Sequence, residues 1–145
     1  MVKAIDILCE LFTEDGPQKA YKESPEIQRL VKWWRLEDRM SKAYTEEEFV
    51  ALMDEAGVEK VCIPAFKMRS YVTGDMIFNQ SNELIAKTVS KFPDRFVGLA
   101  GINPLKKMDG VREMEEGIKD FGFKGVYLHT YGFGLPLNDK LYYPF

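Results

Sequence analysis

The chain has 145 residues, 46% of them hydrophobic, which is enough to bury one sizeable core in a single domain covering residues 1–145. Its formal net charge of −3 does not favour binding to nucleic acid or to an anionic membrane surface. Charged residues interrupt every apolar run before it reaches membrane-spanning length, and the N-terminus has no signal-peptide cleavage site. We therefore expect a cytoplasmic protein.

The first predicted element is a strand over "AIDILCELF", residues 4–12, whose continuous apolar character is typical of a strand buried on both faces. Residues 13–44 are less regular and read as an inserted loop and helix. The stretch "SPEIQRLVKWWRLEDRM", residues 24–40, predicts that helix, with Ser24 as N-cap and Pro25 at the first helical position.

Helices and strands then alternate regularly along the chain. A helix with a Thr45/Glu48 capping box leads to Gly57, and a strand follows at 59–65. The later predicted elements are a helix at 82–92, a strand at 95–102, a helix at 109–122 and a strand at 124–130. This order predicts βαβ units and a parallel sheet of four strands. Residues 139–145 resemble the first turn of one more helix, so we expect a chain that stops short or meets something else.

The cysteines and the single histidine limit the metal chemistry. Cys9 and Cys62 fall in predicted buried strands and read as small core side chains in a reducing compartment. A disulfide between neighbouring strands is the alternative, and a cysteine zinc site is disfavoured because no C-x-x-C spacing occurs. His129 is the only histidine, so one chain cannot build a histidine-rich metal site.

Three stretches, "MDEAGVEKVCIPA", "NELIAKTVSKFPDRFVGLAGINPL" and "DFGFKGVYLHTYGFGLPLNDKLYYPF", resemble the amidohydrolase-related family. That family includes aminocarboxymuconate-semialdehyde decarboxylase, resorcylate-type decarboxylases and oxalomesaconate-type hydratases. The resemblance implies a TIM-type (β/α)8 barrel, which needs roughly 250 residues. This chain would then be a half barrel, the first four βα units of a truncated domain.

The resemblance also implies a metal site at the end of the first strand, where family members carry I-D-x-H-x-H and the two histidines bind a divalent metal. Leu8 and Glu10 occupy those histidine positions here. Leucine cannot ligate, whereas glutamate can bind Zn or Mn. Glu10 is therefore a candidate metal ligand, or else a carboxylate that lines the barrel mouth or pairs with a basic residue. The family's other ligands, a histidine after strand five and an aspartate after strand eight, would lie beyond Phe145.

Barrel enzymes place their chemistry at the C-terminal ends of the strands. That rule selects residues that follow each predicted strand: Glu10 and Phe12, then Phe66, Lys67 and Arg69, then Asn103, and finally His129, Thr130 and Tyr131. Lysine and arginine beside aromatic residues suit a carboxylate on a planar, unsaturated skeleton. The alternative for Lys67 and Arg69 is an exposed loop with solvated charges.

His129 is the candidate catalytic residue, as a general acid or base or as a donor that orients the substrate. It matches a histidine of the family's G-V-x-L-H stretch, and the alternative is a strand-end histidine bonded to a backbone carbonyl. Asn103 is expected to cap a turn through local backbone bonds. Of Trp33 and Trp34, one is expected in the core and the other over the pocket or against a partner.

The sequence is compatible with three alternative functions. The first is a metal-dependent hydrolase or decarboxylase acting on a small carboxylated substrate, with Zn or Mn held by Glu10 and ligands from outside this sequence. The second is a metal-free, catalytically impaired relative that binds small molecules. The third is an interaction role, in which the chain forms a homo-oligomer of half barrels or pairs with a missing C-terminal half.

Overall fold

The computed structural model describes residues 3–11, 13 and 16–145, and the predicted end of the first strand at Phe12 lies outside them. In chain order the regular elements are β1 (Ala4–Asp6), α1 (Pro17–Glu23), α2 (Pro25–Trp34), α3 (Glu37–Met40), α4 (Glu46–Ala56), β2 (Val58–Pro64), β3 (Lys67–Arg69), β4 (Met76–Asn79), α5 (Asn82–Lys91), β5 (Phe96–Gly101), α6 (Met108–Lys119) and β6 (Gly125–Tyr127). Short 3₁₀ helices cover Pro104–Lys106, Tyr131–Phe133 and Lys140–Tyr142.

A curled parallel sheet of four strands organises the described part of the chain, in the order β1-β2-β5-β6. Helices α4, α5 and α6 pack on one face of this sheet. The main core lies between them, and its centre includes Val61, Ile63, Phe96 and Ala100. The four parallel strands and their connecting helices confirm the predicted half barrel.

A second hydrophobic cluster lies at the C-terminal ends of the strands. Here α1, α2 and α3 pack on an antiparallel hairpin formed by β3 and β4. We call the residues of these five elements the cap. Ile27, Val31, Met40, Met68 and Phe78 are among its buried members. The sequence did not predict the hairpin, because its strands are only three and four residues long and one of them begins and ends with a cation.

Several predicted boundaries were wrong. Strand β1 ends at Asp6, because the Asp6 carboxylate accepts a hydrogen bond from the Leu8 amide and bends the chain. The predicted helix 24–40 divides into α2 and α3 at Arg35, which is left-handed with φ 57°. None of the described helices is both long and apolar enough to cross a membrane.

Candidate active site

A cavity of about 650 Å³ lies between the strand ends and the cap. Its walls are mainly apolar and aromatic. Four of the residues predicted for the site line it together: Glu10, Phe66, His129 and Tyr131. Both Trp33 and Trp34 also line it, although they remain 76% and 57% exposed. Both tryptophans therefore lie at the cavity, and the prediction that one of them packs into the core was wrong.

Glu10 is a half-buried carboxyl group in this apolar cavity. Burial raises its pKa from 4.5 to about 7, because the charged form loses hydration and gains little in return. The same carboxylate raises the pKa of Tyr127, after the larger effect of that tyrosine's own burial. A carboxyl with a pKa near 7 can hold or release a proton at neutral pH, as a general acid or base requires.

His129 lies among aromatic rings at the end of β6. Its ring centroid is 4.7 Å from that of Phe66 and 6.1 Å from that of Tyr127, with which it stacks at 14°. Burial lowers the pKa of His129, so the neutral imidazole is favoured. Its buried Nδ1 has no hydrogen-bond partner among the described residues, so the alternative of a bond to a backbone carbonyl is not found at this nitrogen. Gly132 packs so closely on Nδ1 that a Cβ there would collide with it.

Lys67 lies away from the cavity. It is 5% exposed and its Nζ donates a hydrogen bond to Glu113 of α6 at 3.2 Å. Lys106 donates to the other oxygen of the same carboxylate. Successive residues of an extended chain point to opposite sides, so Phe66 faces the cavity while Lys67 faces the helices. The structure therefore supports neither the predicted role of Lys67 in the pocket nor the alternative of an exposed, solvated loop.

Arg69 and Asn103 also lie outside the cavity lining. Arg69 Nε donates to the Gly74 carbonyl at 2.7 Å and so closes the loop of the hairpin. Asn103 Oδ1 accepts a hydrogen bond from the Leu105 amide at 3.1 Å, which is the local turn capping that we expected. The described cavity wall thus contains no lysine or arginine that could meet a carboxylate.

Several lining residues were missed. Met68 and Phe78 reach the cavity from the hairpin, Leu30 reaches it from α2, and Leu36 reaches it from the connection between α2 and α3. The hairpin residues alternate with outward-facing neighbours, but this pattern predicts a cavity wall only when the two short strands are already known. Tyr127 could have been found from the sequence, because it precedes His129 by two residues and therefore shares its face of the strand.

The described residues do not complete a metal site. No three histidine, cysteine, aspartate or glutamate side chains in the described ranges lie close enough to share an ion. Leu8 has no ligating atom, and Glu10 sits in an apolar wall that favours its protonated form. The donors that the described residues bring together therefore do not fit a divalent metal without further ligands.

The chain is similar to known proteins both at the level of a family and at the level of solved structures. The amidohydrolase family matches residues 31–145, which is most of the chain. The chain is similar to the manganese complex of 5-carboxyvanillate decarboxylase from Novosphingobium aromaticivorans with 4-hydroxy-3-methoxy-5-nitrobenzoic acid, with a TM-score of 0.71 and 18% identity over 98% of this chain. None of the curated proteins matches the chain significantly.

Two further solved structures share the fold. One is a dihydroxybenzoic acid decarboxylase from Polaromonas, bound to manganese and the inhibitor 2-nitroresorcinol, with a TM-score of 0.53 and 25% identity over 87% of this chain. The other is 4-oxalomesaconate hydratase from Rhodopseudomonas palustris, with a TM-score of 0.53 and 24% identity over 97% of this chain. The chain spans 46%, 38% and 47% of these three structures, which is less than half of each.

Proposed function

Because the chain belongs to the amidohydrolase family, we propose that it supplies the ring-binding half of an active site that hydrolyses or decarboxylates a small carboxylated molecule. The observation that carries this proposal is the aromatic cavity containing Glu10 and His129. A flat, unsaturated or aromatic skeleton gains most from such walls, because its faces can stack on the surrounding rings.

The chain's own residues have distinct tasks in this proposal. Phe66, Tyr127 and the tryptophans exclude water and hold the ring of the substrate. Glu10 holds a proton on its carboxyl group near pH 7 and can pass it to the bound molecule. His129 is neutral, and because Nδ1 is packed against Gly132, its Nε2 is the nitrogen that remains for a ligand.

The carboxylate of the substrate is expected to face away from this half of the site. The described cavity wall offers it no cation, and Glu10, when ionised, would repel it. Lys67 and Arg69, which we expected to bind the carboxylate, are occupied by Glu113 and by the Gly74 carbonyl. The group that binds the carboxylate is therefore assigned to residues outside this wall.

Two of the similar decarboxylase structures hold manganese. A Zn or Mn ion would need ligands beyond those that the described residues bring together. A second candidate function is therefore a metal-free small-molecule binding protein. The observation that favours it is Leu8, which cannot ligate, at a position where the resemblance implies a histidine.

Intrinsic fluorescence can test the proposed binding directly, because Trp33 and Trp34 are the only tryptophans in the chain and both line the cavity. We expect 2,6-dihydroxybenzoate to quench this fluorescence to saturation. Phe66→Ala should weaken the binding about tenfold, since an aromatic contact and its buried area are worth over 1 kcal/mol. Tyr143→Phe, on an exposed residue outside the cavity, is the matched control.

A linear, non-saturating quench that is equal in Phe66→Ala would contradict a ring-binding cavity. Turnover separates the two candidate functions. Release of CO₂ that is abolished by EDTA and restored by Mn²⁺ would support the metal-dependent enzyme. Binding that is unchanged by EDTA, with no product formed, would support the metal-free binding protein.

A further inference from the structure

The wall of the cavity consists of two parts with different chemistry. At the strand ends the wall is aromatic, because the ring centroids of Tyr127 and His129 lie 5.8 Å and 4.7 Å from that of Phe66. On the side of the cap the wall is aliphatic. We call this part the aliphatic recess, and it consists of Ile27, Leu30, Val31, Met40 and Met68. These side chains offer a ligand no hydrogen-bond donor and no acceptor stronger than a thioether.

The recess is built from three elements of the cap, α2, α3 and β3, and its residues pack in one hydrophobic cluster. Four of its members are no more than 5% exposed: Ile27, Val31, Met40 and Met68. All four nevertheless line the cavity. The cavity therefore extends into the hydrophobic interior of the cap and does not end at the cap surface.

One face of α2 connects the recess to the part of the cavity that holds the ring. Four cavity-lining residues of this helix follow the i, i+3, i+4, i+7 spacing of a single face: Ile27, Leu30, Val31 and Trp34. A ring held by Trp34 therefore lies beside the recess. A group attached to that ring can reach the recess along α2.

We propose that the aliphatic recess binds an alkyl substituent of the substrate, so that the substrate class is a ring carboxylate with a hydrocarbon chain. This inference rests on the proposed function, in which the ring lies against the aromatic wall and the carboxylate faces away from this half of the site. The chain is then attached to the side of the ring opposite to the carboxylate, because that side faces the recess.

The chemistry of the recess favours an alkyl chain over other substituents. A polar or charged group would lose its hydration there without a side-chain partner. A second ring would find no aromatic face to stack on among the five side chains of the recess. A flexible chain can instead follow the irregular surface of branched and thioether side chains, and each buried methylene tightens binding by up to about fourfold.

Tryptophan fluorescence titration of the 145-residue chain with 2,6-dihydroxybenzoate and its 4-methyl, 4-propyl and 4-hexyl derivatives tests the recess. We expect the Kd to fall about two- to fourfold for each carbon that the recess takes up, and about tenfold or more between the parent compound and the propyl derivative. The 4-phenyl derivative has as many added carbons as the hexyl derivative and should bind more weakly than it. The heat capacity change of binding, measured by calorimetry, should become more negative as the chain lengthens.

Leu30→Phe locates the gain, because Leu30 is half-buried on the wall of the recess and a larger side chain there takes up its space. We expect this variant to lose most of the difference in affinity between the parent compound and the hexyl derivative. Leu52→Phe is the matched control, since Leu52 is 44% exposed on α4, away from the cavity lining, and the variant should keep the full difference. Circular dichroism checks that both variants remain folded.

The outcomes separate this inference from the proposed function. Saturable binding of the parent compound with equal affinities along the alkyl series would overturn the recess and leave the ring-binding cavity in place. A phenyl derivative that binds more tightly than the hexyl derivative would overturn the assignment to an alkyl chain. Hexanoate that binds as tightly as the hexyl derivative, with no binding of the parent compound, would support the recess and contradict the proposed ring binding. No binding of any compound would overturn both.

Discussion

At the scale of single residues, Glu10 is the side chain whose charge the cavity controls most strongly. Its folded pKa of about 7 exceeds the ordinary value of 4.5, because burial disfavours the carboxylate. The folded state therefore binds this proton more tightly than the unfolded state does. The resulting stabilisation is fully present below pH 4.5 and is lost as the pH rises through 7.

Glu10→Gln should remove this pH dependence, since glutamine has similar size and no charge. The shift of the pKa corresponds to roughly 3 kcal/mol, which partial exposure to solvent reduces. We expect the variant and the parent to have similar unfolding free energies at pH 4, and the variant to be about 1–2 kcal/mol more stable at pH 8. Urea denaturation at both values measures this difference.

Glu55→Gln, on an exposed residue of α4, provides the control and should show no such trend. If Glu10→Gln were instead less stable than the parent at pH 8, the ionised carboxylate would have a favourable partner. That result would support a role of Glu10 as a metal ligand or as an ion-pair partner, both of which the sequence left open.

The ion pair between Lys67 and Glu113 allows a second test at the residue scale, because removing either partner should destabilise the protein to a different extent. Glu113 binds both Lys67 and Lys106, whereas Lys67 is deeply buried and has Glu113 as its acidic partner. Glu113→Gln would leave a buried ammonium without an opposite charge, at a cost of about 3 kcal/mol. Lys67→Met would leave Glu113 with Lys106, at a cost of roughly 1 kcal/mol or less.

Urea denaturation of the two variants gives the comparison. The prediction is the order of the two losses in unfolding free energy, with Glu113→Gln the larger. Lys119→Met, on an exposed helix position, is the control. Equal losses would mean that Lys67 does not depend on this carboxylate, and its burial would then need another explanation.

At the scale of elements, one carboxylate links two parts of the cap. Glu26 of α2 accepts hydrogen bonds from Ser70 Oγ at 2.6 Å and from the Tyr71 amide at 3.2 Å, which joins the hairpin loop to the helix. Glu26→Ala should release this loop. We expect hydrogen exchange of the Tyr71 amide to accelerate about tenfold, while the exchange of β5 amides is unchanged.

Glu23→Ala, on the last residue of α1, is the matched control for this measurement, because Glu23 is exposed. Exchange at Tyr71 that stays slow in Glu26→Ala would show that the aromatic contact between Tyr71 and Tyr131, at 5.1 Å, is sufficient to hold the loop. The tie through Glu26 would then be incidental.

Local sequence signals predicted the elements whose ends they specify, and they failed where contacts between distant residues determine the structure. The Thr45/Glu48 capping box marks the start of α4 and the left-handed Gly57 marks its end, as predicted. The hairpin of β3 and β4 was missed because it is stabilised by packing against α2, a contact that no short window of sequence contains. The same contrast holds for the site. Four predicted residues line one cavity as expected: Glu10, Phe66, His129 and Tyr131. Lys67 instead points away from the cavity to Glu113, which lies 46 residues further along the chain.

At the scale of the whole molecule, one face of the half-barrel sheet has no covering helices among the described residues, which makes stability and assembly one question. If two copies of this chain pair through that face, mass action stabilises the pair and the melting temperature rises with chain concentration. A tenfold increase adds about 1.4 kcal/mol per dimer, and the unfolding entropy of two 145-residue copies converts this to a rise of roughly 2–3 °C.

Differential scanning calorimetry at two concentrations measures this rise. Ile7→Glu, at an exposed residue directly after the edge strand β1, should abolish it. An independent half barrel would melt at the same temperature at any concentration, and its uncovered face would make it only marginally stable. A concentration-independent transition at high temperature would therefore mean that the described core, which includes Val61, Phe96 and Phe123, is sufficient alone. The sheet edges at β1 and β6 would then be tolerated features of a monomer of this 145-residue chain.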